Sequence, residues 1–195
     1  DLGDRIEIGA SATVTDLLES PVMHAAFPDL YKHLKLVSST PIRNMATLAG
    51  NFANASPIGD MTVWFLALNA EIVLNSPPGL RRGADASSAG WSAEKVVGRE
   101  ILLKQLYLGY KQLAKEPNEY ITAIRFKKPT ADHYFNFEKV CKRTYLDIAT
   151  VNTAILLKCE SLPGQAWTPP ALSEPGTAEI GDFSTQRRRD AVGKV

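Results

Sequence analysis

The sequence is poor in the residues that build metal centres. Its 195 residues contain two cysteines and three histidines, which are scattered along the chain as Cys141, Cys159, His24, His33 and His133. Zinc and iron–sulfur sites require several such ligands at close spacing. We therefore predict no metal site, two reduced packing thiols, and histidines that lie at the surface.

A strong charge imbalance and a long apolar run are also missing. The net charge is +1, from 22 Lys and Arg against 21 Asp and Glu, whereas nucleic-acid binding needs a basic face. The longest strongly apolar run, Val63 to Leu68, is far shorter than the roughly 20 residues that span a bilayer. Residues 1–5 are polar and unlike a signal peptide. We expect a cytoplasmic protein that binds neither nucleic acid nor a membrane.

Several catalytic motifs are absent as well. The chain has no Gly-x-Gly-x-x-Gly, no P-loop and no Gly-x-Ser-x-Gly. These absences argue against a Rossmann NAD site, a Walker ATP site and a serine hydrolase. We predict no residue for covalent catalysis.

The apolar pattern predicts an α+β fold with a mainly antiparallel sheet flanked by helices. Strand patterns occur at residues 5–9, 70–75, 119–126, 134–142 and 147–158, and helical patterns occur at 14–19, 30–36 and 61–68. Strands alternate with helices early in the chain and follow one another late, which is typical of this class. Residues 81–98 are rich in Gly, Ala and Ser and indicate a mobile surface segment. Residues 161–195 are Pro-rich and then basic, which predicts a disordered tail.

Residues 38–58 are small, mostly uncharged and without periodicity. Gly50, which lies among alanines, would let a ligand approach the backbone closely. Thr47 and Asn51 supply hydrogen-bonding groups without charge, and Asp60 can cap a helix or accept from a sugar hydroxyl. Exposed amides with a hydroxyl and an amide side chain suit a phosphate or a ribose. The same composition also fits a tightly packed loop whose polar groups satisfy one another.

Lys139 lies in a strand pattern whose odd positions are otherwise apolar. Alternation places it on the same face as Phe135, Phe137 and Cys141. A lysine on such a face either extends to the edge or reaches a ligand. The sequence pattern leaves both alternatives open.

These two segments closely resemble the FAD-binding domain of molybdenum hydroxylases. The resemblance is carried by ATLAGN at 46–51 and ASPIGD at 55–60, with weaker matches at 119–124, 139–143 and 147–149. The family includes xanthine dehydrogenase, carbon monoxide dehydrogenase medium subunits and 4-hydroxybenzoyl-CoA reductase. The similarity covers residues 5–158 approximately.

The resemblance implies a role for each matching residue. Thr47 and Asn51 would contact the pyrophosphate region of FAD, and Gly50 would permit the approach. Asp60 would bind a hydroxyl on the flavin side of the cofactor, and Lys139 would lie near the carbonyl edge of the ring.

Two apolar positions complete the implied site. Val37 and Ile121 fall where the family packs apolar side chains on the cofactor. Residues 1–160 would form a partial FAD-binding domain, the second subdomain of the family's fold, without the N-terminal subdomain that carries a Gly-rich loop.

The resemblance also implies a function. The chain would be an FAD-binding electron-transfer module, the oxidoreductase component of a xanthine dehydrogenase-like enzyme. Its partners would be iron–sulfur and molybdopterin subunits, and the flavin would pass electrons to NAD or another acceptor. The alternative is a flavin-free remnant that acts only as a subunit-interaction module.

Overall fold

A computed structural model of the chain describes residues 1–77, 98–143 and 146–159. The mobile segment predicted at 81–98 lies outside the described residues except for Gly98. The predicted tail at 161–195 lies wholly outside them, so both remain predictions.

The described residues form short helices and strands in the following order. The elements are β1 (Arg5–Gly9), α1 (Val14–Glu19), α2 (Pro21–Ala26), α3 (Leu30–Leu34), α4 (Thr40–Arg43), α5 (Leu48–Ala53), α6 (Asp60–Ala67), β2 (Glu71–Asn75), β3 (Gly98–Leu102), α7 (Leu103–Leu106), β4 (Tyr107–Gly109), β5 (Gln112–Leu113), β6 (Tyr120–Lys127), β7 (His133–Val140) and β8 (Val151–Lys158).

Four strands form an antiparallel sheet in the order β1-β6-β2-β3. Ile124 of the central β6 pairs with Ile8 of β1 and with Ile72 of β2, and all three side chains are buried. The opposite face carries charge: Arg125 forms ion pairs with Glu7 and Glu100. One buried face and one charged face are typical of an antiparallel sheet covered on one side. The predicted α+β fold is confirmed.

Strands β7 and β8 form a separate two-stranded ribbon, which pairs from His133↔Lys158 to Val140↔Val151. Its inner face packs on the helices. The Phe135 ring lies 5.2 Å from that of Phe27 and 4.8 Å from that of Trp64, both edge-on. A two-stranded ribbon is marginal alone, so these aromatic contacts attach it to the core.

The segment 38–58 contains two short helices that the sequence pattern did not show. Pro41 lies at the start of α4, where its missing N–H costs nothing, and Thr47 caps α5. Helices of four and six residues are too short to display a 3.6-residue period. The absence of periodicity was therefore a poor guide to the backbone here.

His33 corrects the prediction that all three histidines lie at the surface. Its side chain is 2% exposed, and neither ring nitrogen has a hydrogen-bond partner among the described residues. The ring lies edge-on to Phe135 and Phe137 of the ribbon. Position 33 falls on the buried side of α3 together with Leu30 and Leu34, because residues three and four apart share a helix face.

Other absences concern only the part of the chain that the structure describes. There, none of the helices combines the length and the hydrophobicity that a membrane-spanning segment needs. No group of three or more His, Cys, Asp or Glu side chains is placed to hold a metal ion in residues 1–77, 98–143 and 146–159. Cys141 and Cys159 are free and half-buried.

The environment of His33 predicts a pH-dependent stability. Burial lowers the pKa of His33 below 6.5, against a smaller opposing effect of Asp29. The unfolded chain therefore binds this proton at a higher pH than the folded chain does. We expect the free energy of unfolding to fall as the pH drops through about 6.5 towards the lower folded value.

Urea unfolding at pH 7.5 and pH 5.5 checks this expectation. His33→Leu should lose less stability between the two pH values than the parent does. His24→Gln, which changes an exposed histidine, should behave as the parent. Equal losses in His33→Leu and the parent would contradict the assignment.

Candidate functional site

The site centres on a buried ion pair between α6 and the ribbon. The ammonium of Lys139 lies 2.7 Å from Oδ2 of Asp60, although the residues are 79 positions apart. The two side chains are only 3% and 11% exposed. Lys139 also donates to the backbone carbonyl of Leu36 at 3.0 Å. A charge removed from water needs such partners, because its desolvation is costly.

Asn152 completes this arrangement and was missed in the sequence. Its Nδ2 donates to Oδ1 of Asp60 at 2.9 Å, and the residue lies directly opposite Lys139 in the ribbon. Both carboxylate oxygens of Asp60 are therefore engaged. We call Asp60, Lys139 and Asn152 the Asp60 cluster. The only sequence signal for Asn152 is a polar residue on the inner face of a strand, and its importance depends on the cross-strand register.

The second part of the site is the start of α5. The Gly50 N–H donates to Oγ1 of Thr47 at 3.1 Å, and the Asn51 N–H donates to the Thr47 carbonyl at 3.0 Å. The preceding amides of Leu48 and Ala49 also have backbone acceptors. The amides expected to be open to a ligand at positions 48–51 thus have partners within the protein.

Gly50 itself is exposed, and the surface around it is built from small residues. Ala53 at the end of α5 and Asn54, which follows the helix, are also exposed. A Cβ atom added at position 50 would lie 2.8 Å from Oγ1 of Thr47, which is closer than real Cβ atoms approach another heavy atom. Because glycine has no side chain, nothing projects from the surface at position 50, and the hydrogen bond by which Thr47 caps α5 is undisturbed. An exposed surface without projecting side chains allows a dinucleotide to approach the backbone closely.

A polar chain links α5 to α6. Oδ1 of Asn51 accepts from the Thr62 hydroxyl at 3.3 Å, and that hydroxyl lies 3.4 Å from the hydroxyl of Tyr107. These distances are long, so each bond is weak. Burial raises the pKa of Tyr107, which keeps its hydroxyl protonated and able to donate to the carbonyl of Phe52.

Val37 and Ile121 lie in the apolar core, with 6% and 9% of their surface exposed. Val37 follows Leu36, whose carbonyl binds Lys139. Ile121 precedes Thr122, whose carbonyl accepts from Ala10. The Ala10 carbonyl in turn accepts from Ala49 at the start of α5. These contacts place Val37 next to a partner of Lys139, and they link the strand of Ile121 to the start of α5 through Ala10. The contacts of all seven predicted positions with a cofactor stay predictions.

Residues 1–88 match the family model described as the FAD binding domain in molybdopterin dehydrogenase. This match identifies the first 88 of the 195 residues as similar to that family's FAD-binding domain. The resemblance found in the sequence is thereby confirmed, and FAD is confirmed as the cofactor of the family.

Curated relatives and solved structures agree with this match. The chain is 30% identical to the carbon monoxide dehydrogenase medium chain of Afipia carboxidovorans over 188 residues, which cover 92% of this chain and 59% of that protein. It is 32% identical to the xanthine dehydrogenase of Emericella nidulans over 169 residues, covering 80% of this chain and 11% of that protein. A crystal structure of Cu,Mo-CO dehydrogenase in its cyanide-inactivated form matches with a TM-score of 0.67 and 30% identity, over 82% of this chain and 49% of that one.

Each of these matches covers only part of the relative's own length. The chain spans 59% of the first relative and 11% of the second. Those two proteins carry different substrate names, so a xanthine dehydrogenase-like specificity is not decided by them.

The Asp60 cluster predicts a strong energetic coupling. Lys139→Met leaves a buried carboxylate without its cation and should lower the free energy of unfolding by roughly 3 kcal/mol. Asp60→Asn should also destabilise the chain. The double variant should lose less than the sum of the two, because no buried charge is left unpaired.

Urea unfolding of the parent, the two single variants and the double variant measures the coupling. Arg143→Met provides the control, since it breaks an exposed ion pair with Asp147 and should change stability little. Additive losses at positions 60 and 139 would show that the pair is not coupled in solution.

Proposed function

We propose that this chain is the FAD-binding electron-transfer part of a molybdenum hydroxylase. The observation that carries the proposal is that segments distant in the sequence lie close together in the fold. Three segments of the chain, around Thr47, Asp60 and Lys139, carry the family resemblance and lie together in one region. The match of residues 1–88 to the family model and the similarity of the fold to Cu,Mo-CO dehydrogenase support the same conclusion.

We assign the two parts of the region to the two ends of the cofactor. The exposed surface at Gly50, with Thr47 and Asn51 beside it, would receive the pyrophosphate. The Asp60 cluster would lie towards the flavin. When bound, FAD supplies reversible redox chemistry, and the protein holds the ring and sets its electrostatic surroundings.

Lys139 has a restricted role in this proposal. Among the residues that the structure describes, Asp60 and the Leu36 carbonyl use two of its three N–H donors, and the third would be available to a flavin oxygen. Because Asp60 offsets most of its charge, Lys139 would stabilise negative charge on the ring less than an unpaired lysine would. It would act through electrostatics and not as an acid or a base.

The wider assembly is part of the same proposal. Iron–sulfur and molybdopterin subunits would deliver electrons from a substrate oxidised elsewhere, and NAD or another acceptor would receive them. The relatives named as carbon monoxide dehydrogenase and xanthine dehydrogenase support this assembly. A cytoplasmic location fits it and stays a prediction.

Titration with FAD, FMN and ATP tests the proposal directly. We expect the parent chain to bind FAD saturably and in preference to FMN and ATP. Gly50→Val should abolish FAD binding, because its side chain would fill the exposed surface at α5 and crowd Oγ1 of Thr47 there. Any structural change should stay local to the start of α5, so the far-UV circular dichroism of the chain should change little. Saturation by none of the three nucleotides would favour the flavin-free interaction module.

Gly9→Val is the matched control. Gly9 is also exposed and lies at the end of β1, and within the described part of the chain no atom lies within 4 Å of a Cβ added there. FAD affinity should therefore stay at the parent value. Equal flavin content in Gly50→Val and the parent would contradict the placement of the pyrophosphate at α5.

The assignment of the Asp60 cluster to the flavin side predicts opposite shifts in midpoint potential. Asp60→Asn removes a negative charge and should raise the potential of bound FAD, whereas Lys139→Met should lower it. Shifts of tens of millivolts are expected, since about 30 mV corresponds to 1.4 kcal/mol for a two-electron couple. Potentiometric titration of the loaded variants measures them. Shifts of the same sign in both would leave the pair with a packing role only.

A further inference from the structure

We propose that Asn152 is a positioning residue for the flavin-side charge pair: its amide fixes the Asp60 carboxylate so that α6 and the end of the ribbon hold Lys139 in one place. The flavin-related part of this inference rests on the proposed function. The positioning itself depends only on contacts within the chain.

Asn152 is the partner that leaves the Asp60 carboxylate without a free oxygen. Oδ2 of Asp60 binds the ammonium of Lys139 at 2.7 Å and Oδ1 accepts from Nδ2 of Asn152 at 2.9 Å. Without the amide, Oδ1 would lose the donor that the described residues give it, in a position where the Asp60 side chain is only 11% exposed. The carboxylate could then rotate, and Lys139 would lose its fixed partner.

The register of the ribbon makes this contact structurally specific. Lys139 and Asn152 are directly opposed on β7 and β8. The carboxylate of Asp60, the first residue of α6, therefore binds both strands at once. The aromatic contacts of Phe135 hold the ribbon nearer its middle. The Asp60 cluster lies one pair before the end of the ribbon, where the outward-facing Val140 and Val151 are exposed.

A neutral amide suits this position better than a charged side chain. It donates a hydrogen bond and leaves the balance of one ammonium and one carboxylate unchanged. An aspartate at 152 would add a second carboxylate beside Asp60, and an alanine would remove the donor. Asn152 therefore sets the orientation of the charge pair without altering its net charge.

Hydrogen exchange on the cofactor-free chain tests the positioning role. In Asn152→Ala, we expect ribbon amides at 137–140 and 151–154 to exchange at least tenfold faster than in the parent. Amides of β1, β6 and β2 should be unchanged, which also shows that the variant is folded. The control is Thr153→Ala, whose side chain is exposed on the other face of β8 and which should match the parent.

A swap variant provides the rescue. Asp60→Asn combined with Asn152→Asp exchanges the carboxylate and the amide. The Lys139 ammonium is unchanged, so the cluster still contains one positive and one negative charge. Exchange in the ribbon should return to within about threefold of the parent. On addition of FAD, Asn152→Ala should bind at least tenfold more weakly than the parent, and the swap should recover part of the loss.

Each result separates the two proposals. If the parent binds no FAD, the proposed function fails, and the exchange data still decide the role of Asn152. Ribbon exchange in Asn152→Ala equal to that in Thr153→Ala would overturn the positioning role. A swap that stays as fast as Asn152→Ala would overturn it too. Unchanged FAD affinity in a loosened Asn152→Ala ribbon would refute the link to the flavin side.

Discussion

The rest of the site depends on one constraint: a carboxylate that is nearly buried must have every oxygen satisfied. Asp60 meets this requirement with two side chains from a ribbon that is far away in the sequence. Lys139 also binds the Leu36 carbonyl, so the Leu36 backbone, and with it the neighbouring Val37, lies near the start of α6. In the described residues, neither strand of the ribbon forms backbone hydrogen bonds with the four-stranded sheet. The ion pair and the aromatic contacts together therefore attach the ribbon to the helices.

Elements with strong local patterns were predicted correctly from the sequence. The alternation at 5–9 and 70–75 and the apolar run at 61–68 correspond to β1, β2 and α6. Burial decides these elements, and it leaves a two-residue alternation in the strands and a continuous apolar run in α6. The β8 pattern was assigned four residues too early, at 147, because Asp147 and Ile148 alternate in the same way although the strand begins at Val151.

The remaining features depend on contacts that no local pattern records. The two helices within 38–58 are set by a proline at α4 and by the Thr47 cap at α5. The burial of His33 depends on the ribbon covering α3. The importance of Asn152 depends on a strand register. The sequence indicated a nucleotide site through small residues around Gly50, but it did not show that the nearby amides are bonded internally.

The distance along the chain between Asp60 and Lys139 has a consequence for biosynthesis. The two residues are separated by 79 positions, and ribosomes add about 5–20 residues per second. The carboxylate therefore emerges roughly 4–16 s before the ammonium that neutralises it. During that interval the start of α6 must stay hydrated. The helix therefore takes its final packed position only when the ribbon has been translated and folds onto it.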